Sequence, residues 1–282
     1  MGVGLEVVTG FDTAPGVAAF VPLVACNGNS FQVRAAPLTS KVWFLNAWAF
    51  NNVAGQLRIR SPRLHDAVNG MRWRVQAALV APLYPQLINA GFNQFLIPQD
   101  TLIVENEGSA VGGNIEMGAF LVYYANVPGI SARLINNAQL QQYGVNVTTI
   151  QASVVTVATG QYGGAVLVNA ATQNLKANTD YALLGGGVDT RCCTVRVTGI
   201  DFGSLGVGFP GEPSWRQETG NWFQGLSIAN GLPIIPVFNS ANFGGITIDI
   251  ATNQAAGTMI VDLNVVELQA GSVPPAGTGS GS

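Results

Sequence analysis

The sequence predicts an all-β protein made of two similar units in tandem. Its apolar residues fall in short blocks of about five to nine, separated by Gly, Pro, Asn and Asp, which is the spacing of strands and turns. The blocks also recur: when the 282-residue sequence is shifted by 138 to 140 positions, similar blocks align in the same order. A common offset is the sequence signature of an internal repeat.

The strands follow from the positions of these apolar blocks. In the first half we predict strands at 4–10, 18–26, 30–36, 41–50, 56–60, 72–78, 94–105 and 114–125. In the second half we predict strands at 149–158, 165–169, 180–184, 194–200, 232–238, 245–251 and 258–268. The best helix candidates are 83–90 and 218–229, with Thr219 as the candidate N-cap of the second.

The repeat divides the chain into domains. The clearest matches place 39–45 on 178–184, 56–59 on 194–197, 88–92 on 228–232, 97–98 on 235–236 and 118–122 on 257–261. About eight strands in each half suit two tandem eight-stranded jelly rolls, with one short helix in each. We predict an N-terminal jelly roll over 1–130, a linker rich in Asn and Gln over 131–146, a C-terminal jelly roll over 147–270 and a flexible Gly/Ser/Pro tail over 271–282.

The composition favours a protein that assembles. Charged residues make up 10% of the chain, against about 25% in an ordinary soluble domain. Ten arginines stand beside two lysines, Lys41 and Lys176, and arginine is the cation that protein interfaces favour. The net charge of −3 disfavours direct, sequence-specific binding of nucleic acid. We expect no signal peptide and no membrane-spanning segment.

The chemistry-bearing residues form no recognisable catalytic or metal site. His65 is the one histidine, too few for a metal-dependent cupin, and no Gly-x-Ser-x-Gly motif accompanies it. The Gly206–Gly211 segment fits G-x-G-x-x-G but lacks a following helix. Glu105, Glu107 and Asp100 would allow two-carboxylate hydrolysis, although solvated acids at a strand end explain them better. We predict no enzyme activity, no cofactor and no metal.

The cysteines carry no motif. They are Cys26 and the adjacent pair Cys192 and Cys193, an odd number with neither disulfide nor zinc spacing. We expect buried free thiols.

The densest charge feature is a group of arginines interleaved with Trp73: Arg58, Arg60, Arg63, Arg72 and Arg74. One interpretation is a phosphate-binding surface for nucleic acid or lipid headgroups. The preferred interpretation is contact between subunits, because alternating arginines line one face of each strand and would pair with acids of a neighbour.

Taken with its two tandem units, the chain resembles the double jelly-roll major capsid proteins of the lineage that includes adenovirus and membrane-containing phages. The resemblance covers residues 4–268, is architectural and rests on no signature motif. It implies a homotrimer of pseudo-hexagonal outline, self-assembly into an icosahedral shell and a place in the virion. It also implies other capsid proteins, such as a penton, as partners, and leaves an internal membrane open.

Two alternatives remain at this point. One is a minor capsid or spike-base component. The other is a carbohydrate-binding β-sandwich, which would expose some of its tryptophans, namely Trp43, Trp48, Trp73, Trp215 and Trp222.

Overall fold

The structure is a computed structural model. It describes residues 2–12, 19–26, 31, 41–50, 55–61, 68–75, 86–88, 94–96, 100–107, 116–156, 160–163, 166–167, 173–190, 192–203, 205–212, 217–252 and 256–273.

In the described part of the first half, the regular elements are strands. They are β1 (Gly2–Asp12), β2 (Phe20–Pro22), β3 (Val24–Ala25), β4 (Lys41–Phe50), β5 (Gly55–Arg60), β6 (Met71–Val75), β7 (Gln86–Ile88), β8 (Gln94–Leu96), β9 (Ile103–Glu107) and β10 (Glu116–Val127).

The second half adds three α-helices. Its strands are β11 (Leu134–Ile135), β12 (Gly144–Val155), β13 (Val166–Leu167), β14 (Asp180–Val188), β15 (Cys192–Thr198), β16 (Val207–Gly211), β17 (Ile235–Asn239), β18 (Thr247–Ala251) and β19 (Thr258–Leu268). Its helices are α1 (Asn137–Tyr143), α2 (Gln217–Gly220) and α3 (Trp222–Asn230), and a 3₁₀ segment covers Ser240–Gly245.

The strands of the first half form two antiparallel sheets. One has the order β3-β1-β10-β4-β7, with β8 also paired to β4, and the other has the order β2-β9-β5-β6. Alternate residues point into the space between the sheets, where Phe44, Leu57, Val104 and Phe120 belong to one buried apolar cluster. Burial of this cluster holds the two sheets face to face as a sandwich.

The second half repeats the same strand order, apart from the edge strands β3 and β11, which have no counterpart in the other half. Its sheets run β11-β17-β14-β19-β12 and β13-β18-β15-β16. In each half, the first long strand, β1 or β12, pairs with the last, β10 or β19. The last strand also pairs with the strand that contains the aligned block, which is β4 in the first half and β14 in the second. The predicted all-β, jelly-roll-like fold is therefore confirmed, and the aligned blocks 56–59 and 194–197 lie on corresponding strands, β5 and β15.

The two sandwiches pack directly on each other. The outer face of β1, β10 and β4 in the first sandwich covers the outer face of β15 and β16 in the second: β1 contacts β16, and both β10 and β4 contact β15. Leu5, Trp48 and Leu121 belong to a buried cluster that includes residues of both sandwiches, and Trp48 Nε1 donates to the carbonyl of Cys193 at 2.8 Å. The backbone amide of Val7 also donates to the carbonyl of Gly206 at 2.8 Å.

Two helix predictions need correction. Within the predicted helix 83–90, Gln86–Ile88 is a strand paired with Ala47–Ala49, and the remaining residues lie outside the described part. The second candidate is helical, as α2 and α3, but Thr219 lies inside α2 and is not an N-cap. Gly231 ends α3 in the left-handed conformation, with φ of 66°.

The segment predicted as a linker is folded. Residues 131–146 contain β11, which pairs with β17, and α1, which contacts α3. Asn136 caps α1: its side chain accepts from the Gln139 amide, and the Gln139 side chain accepts from the Asn136 amide. No helix in the described ranges is long and apolar enough to cross a membrane.

Most strand predictions agree with the structure. The segments 41–50 and 258–268 match β4 and β19 at both ends. The predicted strand 94–105 is two strands, β8 and β9, with residues 97–99 undescribed. The predicted strand 30–36 lies outside the described residues apart from Phe31, as does the tail beyond Val273.

Candidate functional site

The arginine group lies on the outer face of the four-stranded sheet of the first sandwich. Arg58 and Arg60 alternate with buried residues on β5, and Arg72 and Arg74 do the same on β6. Arg58 lies directly opposite Arg72 across the two strands. Since side chains two apart on a strand share a face, the four arginines project together. We call this surface, completed by Phe20 of β2, the basic face.

A buried carboxylate lies at the centre of the basic face. Glu105 of β9 is 3% exposed and accepts from Arg58 Nε at 2.6 Å and from Arg60 Nη2 at 2.7 Å. Burial raises the pKa of Glu105, but the hydrogen bonds from Arg60 and Arg58 outweigh it and hold that pKa below its ordinary value. Glu105 is therefore ionised at neutral pH and fixes both guanidinium groups.

An aromatic ring completes the arrangement. The guanidinium carbon of Arg58 lies 3.7 Å from the centre of the Phe20 ring, and that of Arg72 lies 5.2 Å from it. Both distances are within the range of cation–π attraction. Phe20 is half-buried and Arg72 is exposed, so part of the ring and the Arg72 side chain border solvent.

This geometry corrects one expectation from the sequence. Arg58 and Arg60 were expected to pair with acids of a neighbour, but their acid partner is Glu105 of the same chain. Arg72 and Arg74 are exposed, and Arg63 lies outside the described residues. Contact between subunits therefore remains a prediction for this face.

The acid interpretation also changes. Glu105 is not a solvated strand-end acid, because two arginines enclose it. Glu107 accepts a short hydrogen bond from Gln56, and Asp100 accepts one from Ser61. These partners account for all three carboxylates as ion pairs or hydrogen-bond acceptors.

The second sandwich contains the same arrangement, which sequence reasoning missed. Arg196 of β15 lies directly opposite Asp249 of β18, as Arg58 lies opposite Glu105. It binds Asp249 through two hydrogen bonds of 2.6 and 2.8 Å, and its guanidinium carbon lies 3.7 Å from the centre of the Tyr162 ring. The match of 56–59 with 194–197 already aligned Arg58 with Arg196. The two acids, Glu105 and Asp249, do not align in sequence, because the separation between them differs from the separation between the two arginines.

The surroundings of the two arrangements differ. Tyr162 is buried beneath β1 of the first sandwich, and its hydroxyl lies 2.8 Å from Thr9 Oγ1. Thr9 also donates to Thr194 Oγ1 at 3.0 Å. Burial raises the pKa of Asp249 above its ordinary value despite Arg196, and raises that of Tyr162 well above it. The second arrangement thus lies inside the contact between the two sandwiches.

The remaining sequence candidates are placed as follows. His65 lies outside the described residues. Gly206–Gly211 leads into and forms β16, so its glycines serve a strand. Cys26, Cys192 and Cys193 are buried and unpaired by disulfides. Within the described ranges, no group of three or more His, Cys, Asp or Glu side chains is placed to hold a metal ion.

A groove of about 390 Å³ lies between α1, α3 and the outer face of β12 and β19. Its walls include Leu140, Val147, Gln224 and Val266. All of its lining side chains are apolar or neutral, so the groove offers no acid, base or nucleophile for catalysis.

The described tryptophans do not form an exposed aromatic platform. Trp48 and Trp222 are buried and meet edge to face at 5.5 Å. Trp43 and Trp73 are half-buried against Tyr123 and Phe44. Trp215 lies outside the described residues.

The chain matches no protein-family model and no curated protein. Three solved structures are similar over nearly the whole chain. The PBSX exported protein XepA is 12% identical, with coverage of 93% of this chain and 86% of XepA and a TM-score of 0.26. The STIV MCP is 10% identical, with coverage of 95% and 97% and a TM-score of 0.19. The T=1 Penaeus vannamei nodavirus structure is 10% identical, with coverage of 94% and 98% and a TM-score of 0.20.

Proposed function

We propose that this chain is a major capsid protein: a structural subunit whose trimers, pseudo-hexagonal in outline, tile an icosahedral viral shell. The observation that carries the proposal is the duplication of one sandwich within the chain. Both halves have the same strand order, and they are joined by a buried apolar contact. Three such chains supply six similar sandwiches, the number that a hexagonal tile needs.

The surface chemistry supports an assembling protein. Charged residues make up 10% of the chain, and the basic face gathers exposed Arg72 and Arg74 beside Arg58 and Arg60, which Glu105 holds in place. Such a face suits lateral contact with another protein, because a guanidinium group is more weakly hydrated than an ammonium group and arginine is enriched at protein interfaces. The groove and the ion pairs offer no comparable support for catalysis.

The carbohydrate-binding alternative has less support. Such a module needs exposed aromatic rings, whereas, among the described tryptophans, Trp48 and Trp222 are buried and Trp43 and Trp73 are half-buried against other rings of the chain.

The test is the mass and shape of the purified protein. Light scattering after gel filtration should give three times the chain mass of 29.4 kDa, and negative-stain microscopy should show hexagonal plates or closed shells. A folded monomer at every concentration, without particles, would contradict the proposal. If particles form in an infected host, the copy number of this chain per particle separates a major from a minor capsid component.

A further inference from the structure

The contact between the two sandwiches leaves one surface of each without an equivalent partner. The first sandwich covers the second with the outer face of β1 and β10, and the surface that it covers is the outer face of β15 and β16. The corresponding covering surface of the second sandwich is the outer face of β12 and β19. The corresponding covered surface of the first sandwich is the basic face.

The strand pairing identifies the equivalent residues. The aligned blocks 118–122 and 257–261 place Leu121 on Ile260 and Tyr123 on Asp262. In the first sandwich Leu121 pairs with Val7, and in the second Ile260 pairs with Ser153. One step further along the face, Thr9 corresponds to Val155 in the same register. We call Gln151, Ser153, Val155, Ile260 and Asp262 the open face.

The open face is accessible in the single chain. Val155 is 54% exposed and Ile260 is 40% exposed, whereas Thr9 and Leu121, at the equivalent positions of the first sandwich, are buried. A single exposed valine on a protein surface needs no explanation. An exposed apolar strand face is different when the equivalent face of the other sandwich is buried by a β-sheet, because it then indicates a surface for contact with another protein.

We infer that the open face of one copy packs on the basic face of a second copy and so repeats the internal contact between the sandwiches. This inference rests on the proposed self-assembling function and names the surfaces that carry it. The contact is heterologous, and contacts of this kind form closed rings when the rotation between copies closes. A ring of three chains then alternates internal and intermolecular contacts around six sandwiches.

The residue exchanges between the two contacts are complementary. Inside the chain, the Thr9 hydroxyl meets the Tyr162 hydroxyl at 2.8 Å. At the proposed contact, Val155 replaces Thr9 and Phe20 replaces Tyr162, so both partners lose the hydroxyl together. An apolar pair takes the place of a hydrogen-bonded pair without leaving a buried polar group unsatisfied.

A second exchange makes the proposed contact more polar than the internal one. Gly208 lies opposite Arg196 and approaches Val7 so closely that a Cβ there would lie 2.6 Å from the Val7 side chain. Its counterpart on the basic face is Arg72, which lies opposite Arg58. Ser153 stands in place of Val7, so a long cation meets a small hydroxyl.

The charges of the two faces have opposite signs. The basic face presents exposed Arg72 and Arg74. The open face carries Asp262, which accepts from Gln151 at 3.0 Å, and borders the exposed Asp189, whose carboxylate accepts from the Ile260 amide at 2.8 Å. Charge complementarity of this kind fixes the register of a contact.

Disulfide cross-linking between two single-cysteine variants tests the inference. Inside the chain, Thr9 and Thr194 meet at 3.0 Å, and their counterparts at the proposed contact are Val155 and Gln56. We expect a mixture of Val155→Cys chains and Gln56→Cys chains to form a covalent heterodimer under mild oxidation. Neither variant alone should form it, and the three native thiols are buried and do not compete.

Val147→Cys is the matched control. Val147 lies on the same strand, β12, and is 73% exposed, but it is far along the strand from Val155. Its mixture with Gln56→Cys should give no heterodimer. If oligomers form while the Val155 mixture stays uncross-linked, or the Val147 mixture cross-links equally, the inference is wrong and the proposed function stands. If light scattering of the same samples shows folded monomers alone, both are wrong.

Charge reversal provides an independent readout. Arg72→Glu with Arg74→Glu leaves both ion pairs of Glu105 in place, so the chain should fold and its oligomer should be lost. Adding Asp262→Arg should restore the oligomer. Lys41→Glu, an exposed cation at the start of β4, is the control and should leave assembly unchanged.

Discussion

Arg58 and Arg196 occupy the same position in the two sandwiches. Each lies directly opposite an acid on the neighbouring strand, and each guanidinium carbon lies 3.7 Å from the centre of an aromatic ring. The difference lies in the acids. Glu105 is bound by Arg58 and Arg60, whereas Asp249 forms an ion pair with Arg196. The two arrangements should therefore respond differently to the same substitution.

Replacing the arginines by methionine should give unequal losses of stability. Arg196→Met leaves Asp249 buried without its cation, so we expect the free energy of unfolding to fall by about 3–5 kcal/mol. Arg58→Met leaves Glu105 paired with Arg60, so the fall should be about 1–1.5 kcal/mol. Urea unfolding of both variants at pH 7 measures the difference. Equal losses would mean that Arg60 does not support Glu105 as its geometry indicates.

Glu105→Gln should destabilise the protein in a pH-dependent manner. At pH 7 we expect a loss of about 1.5–3 kcal/mol, the range for hydrogen bonds to charged groups. The pKa of Glu105 is lowered on folding, so its stabilisation is present above the unfolded pKa of about 4.3 and is lost as the pH falls through the folded value. The difference between variant and parent should shrink towards pH 3.

Glu107→Gln serves as the control for this titration. Glu107 lies on the same strand, is half-buried and accepts a hydrogen bond from Gln56. Glu107→Gln should lower the free energy of unfolding at pH 7 by less than Glu105→Gln does. A difference between the Glu105 variant and the parent that persists unchanged to pH 3 would contradict the role of the ionised carboxylate.

Much of the fold could be predicted because strand patterning is local. The blocks 41–50 and 258–268 alternate or run apolar between turn residues, and the structure forms strands there. The error at Gln86–Ile88 arose because a short apolar run has no decisive period, and pairing with β4 determines its conformation. Helix α1 was missed although Asn136 and Gln139 have capping-box spacing, because the surrounding Asn and Gln residues suggested a linker.

The candidate site could be predicted in part for the same reason. Alternation of Arg58 with Arg60 places both on one face from sequence alone. The partner Glu105 could not be predicted, because a contact over 47 positions depends on which strands pair. The contact between Thr9 and Tyr162 spans 153 positions and depends on how two sandwiches dock. Long-range pairing of this kind leaves no local pattern.

A double-mutant cycle on Thr9 and Tyr162 should detect the contact between the sandwiches. Thr9→Val and Tyr162→Phe each break the 2.8 Å hydroxyl pair, and each should cost about 1–2 kcal/mol. The double variant should lose about 1 kcal/mol less free energy of unfolding than the sum of the two single losses, since the hydrogen bond between the two hydroxyls can be lost only once. It also reproduces inside the chain the Val155 and Phe20 pair of the proposed contact. Exact additivity in urea unfolding would show that the two hydroxyls do not interact.

The buried thiols should make the protein less stable in alkali. Burial raises the pKa of Cys193 to about 12 and that of Cys192 well above its ordinary value. In the unfolded chain both thiols ionise above about pH 8.5, so the stability is intact below that pH and declines as the pH rises towards the folded values. At pH 9.5 we expect a loss of about 1.4 kcal/mol per thiol relative to pH 7.5.

Unfolding in urea with a reductant, from pH 7.5 to 9.5, measures this decline. Cys193→Ala should make the free energy of unfolding decline less steeply with pH, by the contribution of one thiol. The same burial predicts that a thiol reagent reacts with Cys26, Cys192 and Cys193 in urea and much more slowly in buffer. A flat stability profile, or equal reactivity in both conditions, would place these sulfur atoms at the surface and not in the protein interior.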